Sequence, residues 1–161
     1  MNVSAMLGAF CDAVERRNGA AFAELFAEDG VYHDVFYGVF AGRAKIAALT
    51  NDVIYRAGTD YRWDMHDPAT DGKTLYARYT FSYRSTLPEA KGARAMFEGV
   101  SIMKLRDGKI AEYREVAVTA PVLVDMRNGR APNPAPRVPS STIYRRSDQT
   151  DHGKDNRRRN G

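Results

Sequence analysis

The sequence predicts an α+β fold in which a cone-shaped, curved antiparallel sheet wraps around three N-terminal helices. Helical periodicity is confined to the first third of the chain, where apolar residues recur at intervals of three and four. Four segments of alternating polarity follow, joined by links of hairpin length. Helices that precede an antiparallel run are typical of α+β folds. A curved sheet packed on helices is expected to leave a cavity where the two layers diverge.

The first third of the chain contains the helical patterns. Met6, Leu7 and Phe10 belong to one apolar stripe, and Asn18 followed by Gly19 supplies a stop signal. The turn signal of Asp29 and Gly30 is predicted to end the second helix. We predict helices over residues 3–17, 20–27 and 42–57, and a first strand over residues 31–36.

The middle of the chain alternates with a period of two, which indicates strands with one buried face. The apolar residues at positions 61, 63 and 65, which are Tyr61, Trp63 and Met65, alternate with polar residues. Asp107 followed by Gly108 predicts a two-residue hairpin of type I′. We predict strands over residues 61–66, 73–86, 95–105 and 109–119.

The charge of the chain divides it into two parts. Residues 1–126 contain 15 Lys and Arg against 17 Asp and Glu, whereas residues 127–161 contain 9 against 3. We therefore predict a folded domain over 1–126 and a disordered, basic, Pro- and Arg-rich tail over 127–161. The domain has no excess of basic residues, so we expect no nucleic-acid partner, and no long apolar run predicts membrane insertion. The single Cys11 and the absence of a signal-peptide pattern favour a cytoplasmic protein.

Asp34 is the strongest candidate for chemistry. By the strand period it shares a face with Tyr32 and Phe36, and an acid among rings is typical of functional sites. Its alternative role is structural: a strand-end acid that caps a turn or pairs with Arg43. His33 alternates away from Asp34, and the separated histidines His33 and His66 have no matching third ligand, so we expect no metal site.

Two acids on the last strands are further candidates. Glu115 shares its parity with Tyr113, and Glu98 shares its parity with Met96 and Val100. An enclosed acid near Asp34 would form an acid/base pair, whereas an exposed acid would be a cross-strand partner for Lys or Arg. Several rings either fill the core or line an apolar pocket for a small molecule: Tyr32, Tyr55, Trp63, Tyr79, Phe81 and Tyr113.

Three strings carry a family resemblance: AELFAEDGVYHD at residues 23–34, FAGRAKI at 40–46 and LRDGKIAEYR at 105–114. They resemble the SnoaL-like branch of the nuclear transport factor 2-like superfamily, over residues 3 to about 120. The resemblance implies the cone fold. It leaves the activity open among ketosteroid isomerases, polyketide cyclases, dehydratases, epoxide hydrolases and non-catalytic binders.

The resemblance also assigns positions within the site. Asp34 falls where the ketosteroid isomerase-like members have their general base. The tyrosine of their first helix corresponds to Phe10, and their protonated acid corresponds to about Ser101. Phe10 cannot donate a hydrogen bond, which disfavours steroid isomerisation by that mechanism. Members of the branch commonly pair through the sheet, so we expect a homodimer through the outer face of strand 73–86.

Three functions remain open. The first is a cofactor-free acid/base enzyme of the cyclase, isomerase or hydratase type, acting on a small apolar or cyclic molecule. Asp34 would transfer protons, while the rings, Phe10, Ser101 and Glu115 would contact the substrate. The second is a non-catalytic small-molecule binding or protein-association domain with the same cavity. The third is an interaction module whose basic tail meets an anionic partner.

Overall fold

The computed structural model describes residues 2–56 and 58–118. The predicted basic tail and the end of the predicted domain lie outside these residues. The helices are α1 (Val3–Glu15), α2 (Gly19–Glu24) and α3 (Arg43–Ala48). The strands are β1 (Phe26–Asp34), β2 (Gly38–Ala41), β3 (Gly58–Thr70), β4 (Thr74–Ser85), β5 (Arg94–Arg106) and β6 (Lys109–Val118).

The first two helices are each capped by an asparagine. The Asn2 side chain accepts a hydrogen bond from the Ala5 amide, and the Asn18 side chain accepts one from the Ala21 amide, both at 3.0 Å. The second helix ends at Glu24, so the predicted extension to residue 27 is wrong. The reason is tertiary, because the amide of Ile110 on β6 donates to the carbonyl of Leu25 and draws the chain into the sheet.

The predicted third helix is not continuous. After α3 the chain forms a π-helical segment (Leu49–Val53) and a 3₁₀ turn (Ile54–Arg56). Asn51 lies in the wider π-helical turn and carries tertiary hydrogen bonds. Its carbonyl accepts two bonds from the Arg17 guanidinium, at 2.8 and 2.6 Å, and its side chain accepts the Gly19 amide at 2.9 Å. These bonds tie the irregular segment to the junction between α1 and α2.

The six strands form one curved, open sheet in the order β2-β1-β6-β5-β4-β3. The predicted α+β cone is confirmed, with two differences in the sheet. The β1–β6 pair is parallel, whereas the other four pairs are antiparallel. Strand β2 was not predicted, because it begins at Gly38 and is followed directly by Gly42, two residues with positive φ that break a strand pattern.

Local sequence signals predicted one turn correctly and the end of one strand incorrectly. Asp107 and Gly108 have positive φ angles of 51° and 75°, as the predicted type I′ hairpin requires. The end of β3 was predicted too early, at residue 66. Asp67 and Pro68 do not end the strand, because the register is irregular between His66 and Ala69 and pairing with β4 then resumes.

The core lies between α1, α2 and the concave face of the sheet. Phe10 of α1 is fully buried at its centre. Its ring lies 4.7 Å from the ring of Phe22, 5.2 Å from Trp63 and 5.3 Å from Tyr113, measured between centroids. Within residues 2–56 and 58–118, no helix combines the length and apolar character needed to cross a membrane.

Candidate functional site

A cavity of about 70 Å³ opens beside the turn between β1 and β2. The volume holds several water molecules or a small organic ligand. Its wall is built from β1, the 3₁₀ turn, β3, β4, β5 and β6, together with the β1–β2 turn. The lining residues are Tyr32, Asp34, Phe36, Tyr37, Ile54, Tyr61, Trp63, Tyr79, Phe81, Tyr83, Phe97 and Glu115.

Asp34 is the last residue of β1 and organises the turn beside the cavity. Its Oδ1 atom accepts the amides of Phe36 at 2.8 Å and Tyr37 at 2.9 Å. The predicted alternative of a pair with Arg43 is wrong, because the Arg43 guanidinium donates to the Phe26 carbonyl and meets Glu24. Asp34 therefore caps a turn and also contributes a carboxyl group to the cavity wall.

A comparison with Asp71, another turn-capping acid, shows why the pKa of Asp34 is raised. The Oδ1 atom of Asp71 likewise accepts two turn amides, from Lys73 at 2.8 Å and Thr74 at 2.7 Å. These bonds lower the pKa of the exposed Asp71 carboxyl. At Asp34 burial outweighs the bonds from Phe36 and Tyr37, and the pKa is raised. The difference between two otherwise similar turn acids is therefore desolvation by the cavity wall.

Glu115 is the second acid of the wall. Its Oε2 atom accepts the hydroxyl of Tyr79 at 2.7 Å and that of Tyr113 at 3.3 Å. Burial raises the pKa of Glu115 to about 7; the Tyr79 bond opposes the shift, and the negative charge of Asp34 adds to it. Asp34 thus lies close enough to Glu115 for its charge to raise the pKa of that carboxyl group.

Gly99 on β5 leaves the space that the Tyr79 side chain needs. A Cβ atom at this position would lie 2.6 Å from the Tyr79 hydroxyl and 2.4 Å from the Val116 carbonyl. Such distances are far below van der Waals contact. A side chain at residue 99 would therefore displace the phenol that donates to Glu115.

The rings of the wall form a continuous cluster. Trp63 and Phe81 meet at 67° with centroids 4.8 Å apart, and Phe81 lies 5.2 Å from Phe97. Tyr61 and Tyr83 stack at 5.2 Å. The indole Nε1 of Trp63 is buried without a hydrogen-bond partner among the described residues. That N–H is a candidate donor to a ligand, because buried donors are normally paired.

Seven of the predicted site residues line the cavity, namely Tyr32, Asp34, Phe36, Trp63, Tyr79, Phe81 and Glu115. The remaining four lie behind the wall. Phe10 is core, and Tyr113 stacks on Tyr32 at 4.3 Å with its hydroxyl 2.9 Å from Ser101 Oγ. The Tyr55 hydroxyl donates to carbonyls of α1. Glu98 does not line the cavity.

Five lining residues were not predicted. Tyr61 and Tyr83 have the inward parity of their strands, so the period-two pattern could have identified them. Phe97 shares a face with Ser101 on β5 and carries the same signal. Tyr37 lies in the turn and Ile54 in the 3₁₀ segment, where no strand period applies.

The sequence from residue 7 to residue 113 matches the model of the SnoaL-like domain family. The chain belongs to the SnoaL-like domain family. A search of curated protein sequences gives no significant match.

Solved structures agree with this assignment at the level of the fold. An LEH-like epoxide hydrolase of M. tuberculosis is 18% identical with a TM-score of 0.62, covering 78% of this chain and 89% of its own. A protein with a ketosteroid isomerase-like fold from Catenulispora acidiphila, solved in complex with trimethylamine, is 17% identical with a TM-score of 0.67, covering 76% of this chain and 92% of its own. A candidate polyketide cyclase from Pseudomonas putida is 21% identical with a TM-score of 0.61, covering 78% and 98%.

Proposed function

We propose that this SnoaL-like domain is a cofactor-free acid/base enzyme that acts on a small, largely apolar or cyclic molecule in the aromatic cavity. The observation that carries the proposal is the presence of two carboxyl groups with raised pKa values, Asp34 and Glu115, on one cavity wall. A structural role rarely requires two partly buried acids that have no basic partner among the described residues, whereas proton transfer can use such a pair. Cyclisation, isomerisation and hydration all require such a transfer at carbon or oxygen.

The environments of the two acids suggest separate roles. Asp34 accepts two amides at Oδ1, which favours its ionised form, so we assign it as the general base. Glu115 has a pKa of about 7 and is half protonated near neutrality, so we assign it as the general acid. The hydroxyls of Tyr79 and Tyr113 both meet Oε2, which leaves Oε1 to carry the proton toward the substrate.

Proton exchange at the α-carbon of a small ketone tests these roles without knowledge of the natural substrate. Cyclohexanone is incubated in D₂O with the full chain, and loss of the α-proton signal is followed by NMR. We expect exchange above the buffer rate that falls roughly 100-fold or more in Asp34→Asn and in Glu115→Gln. Glu112→Gln is the matched control, because Glu112 lies on the same strand and pairs with Arg114 outside the cavity. Exchange that is equal in all three variants would contradict the assignment.

The second candidate is a non-catalytic small-molecule binding domain. The resemblance aligns Phe10 and Ser101 with two hydrogen-bond donors of the ketosteroid isomerase-like members. Phe10 is part of the core and Ser101 bonds Tyr113 behind the wall, so neither donates to a ligand in the cavity, which favours binding without catalysis. An oxyanion would have to rely on other groups, such as Trp63 Nε1. Saturable binding of cyclohexanone without any catalysed exchange would favour this function over the enzyme.

We also propose that two copies pair through the outer face of the sheet. Four neighbouring outward residues of β4, β5 and β6 supply an apolar patch: Tyr76, Val100, Ile102 and Val116. Tyr76 is 45% exposed and Val116 is 64% exposed, so burial in a dimer would remove apolar surface from water. The absence of a nucleic-acid partner and the cytoplasmic location remain predictions from the sequence.

A further inference from the structure

The described residues of the cavity wall include acidic side chains but no basic ones. Among the twelve lining residues nine are aromatic, two are acidic, one is aliphatic and none is basic. Rings and aliphatic groups alone are enough to hold a neutral apolar ligand, so the acids must serve another purpose, either proton transfer or the binding of positive charge. Two carboxyl groups held among rings instead favour a ligand that carries positive charge.

Neighbouring rings of the cavity wall lie at different angles to one another. Trp63 meets Phe81 at 67° and Tyr79 at 58°, and Phe81 meets Phe97 at 51°. The face of an aromatic ring carries negative electrostatic potential, so rings at different angles can surround a cation. The low dielectric of a partly enclosed cavity strengthens this attraction.

The basic side chains near this region are engaged outside the cavity. Burial raises the pKa of Tyr37, and the charge of Arg56 only opposes this shift; the Arg56 side chain is exposed and its Nε donates to the Asp52 carbonyl. Arg94 meets Asp60 and donates to Ser82 Oγ. Within residues 2–56 and 58–118, the two cavity acids therefore have no cationic side chain on the wall that they share.

We propose that the cavity binds a small organic cation, a protonated or quaternary amine with methyl or ring substituents, held by the ring faces and by the carboxyl groups of Asp34 and Glu115. The proposal rests on the part of the proposed function that makes this cavity a ligand site. The volume of about 70 Å³ suits a compact head group such as tetramethylammonium or the trimethylammonium end of choline. The Oδ2 atom of Asp34 takes part in none of the hydrogen bonds between described residues, so it is available to such a ligand.

Affinity for a cation should depend on pH through Glu115. The titratable groups that face it are Asp34 from β1, Tyr79 from β4 and Tyr113 from its own strand. Burial raises the pKa of both tyrosines, so they remain neutral hydroxyls between about pH 6 and pH 8. A bound cation favours the ionised carboxylate, and cation affinity is therefore expected to rise as the pH passes the Glu115 pKa of about 7.

A pair of isosteres tests the role of charge directly. Choline and 3,3-dimethylbutan-1-ol have the same shape, but the quaternary nitrogen is replaced by carbon in the alcohol. Binding of each to the full chain is measured by NMR titration at equal ionic strength, at about pH 6 and pH 8. We expect choline to bind roughly tenfold more tightly or better at pH 8, with a smaller preference at pH 6.

The variants locate the effect. Glu115→Gln and Asp34→Asn should each reduce the preference for choline, whereas Glu112→Gln should leave it unchanged. Folding of each variant is checked by its thermal melt. Equal or tighter binding of the alcohol would overturn the cation proposal while leaving the cavity a site for neutral ligands. Choline binding that no cavity variant alters would also overturn it, and absence of binding by either isostere would overturn it as well. Ketone exchange is measured separately, so the proposed enzyme can fail or stand independently of these outcomes.

Discussion

Replacement of Glu115 by glutamine is expected to change the pH dependence of stability. Burial raises the pKa of Glu115 from 4.5 to about 7 in the folded protein, so the folded state binds this proton more tightly than the unfolded state. The stability that proton binding at Glu115 gives to the folded state is complete below pH 4.5 and is lost as the pH rises through about 7. One pKa unit corresponds to about 1.4 kcal/mol, and integration between pH 5 and pH 8 gives a loss of about 2.5 kcal/mol.

Glutamine has the size of glutamate and keeps an oxygen that accepts the Tyr79 hydroxyl, but it does not titrate. The free energy of unfolding of Glu115→Gln, relative to the unmodified chain, should therefore increase by about 2.5 kcal/mol from pH 5 to pH 8. Urea denaturation at several pH values measures this difference, with the unfolding slope as a check on the unfolded state.

Glu112→Gln is the control for a glutamate on the same strand. The Arg114 bond lowers the pKa of Glu112, so the stability that this residue contributes is lost on acidification below pH 4.5 and is nearly constant between pH 5 and pH 8. The reasoning from burial would be refuted if the unfolding free energy of both variants, relative to the unmodified chain, were constant from pH 5 to pH 8. It would also be refuted if Glu115→Gln lost stability relative to the unmodified chain at pH 8.

Three further predictions concern the turn, the dimer and the tail. Asp34→Ala should lower the free energy of unfolding by about 1–2 kcal/mol, because two turn amides lose their acceptor. Asp34→Asn keeps the Oδ1 acceptor and should change the free energy of unfolding by about 0.5 kcal/mol or less. Chemical denaturation measures both variants, and an equal loss in the two would contradict this role for Oδ1. Val116→Lys should convert the expected dimer into a monomer of 18.0 kDa by light scattering, and the prediction fails if the unmodified chain already has that mass. Deletion of residues 127–161 should leave the unfolding free energy within about 0.5 kcal/mol, and a larger loss would show that the tail stabilises the domain.

The sequence predicted those features that local physics decides. The apolar stripe that includes Phe10 formed the buried face of α1, and Asp107 with Gly108 formed the expected hairpin. The parity of Glu115 with Tyr113 indicated an inward position, with exposure left open as the alternative, and the residue lies on the cavity wall. In each case the information lies within a few residues of the chain.

Features that depend on tertiary pairing were not predictable in the same way. The alternation of β1 does not encode whether it pairs parallel or antiparallel with β6, and the short edge strand β2 has little apolar pattern. The direction of Arg43 is set by the Phe26 carbonyl, which only the folded chain brings within 3.0 Å. The two proposed roles of Asp34 were treated as alternatives, whereas a single carboxyl group can cap a turn with one oxygen and face a cavity with the other.

The claim that Asp34 and Glu115 share one buried aromatic cavity is tested most directly by the apparent pKa of Glu115. Carbon-detected NMR of the glutamate side-chain carboxyl carbons, assigned with Glu115→Gln, measures it in the full chain. We predict an apparent pKa of about 7, and a lower value in Asp34→Asn, because the charge of Asp34 raises it. A value near 4.5 that is the same in both proteins would contradict the shared cavity and the acid/base function inferred from it.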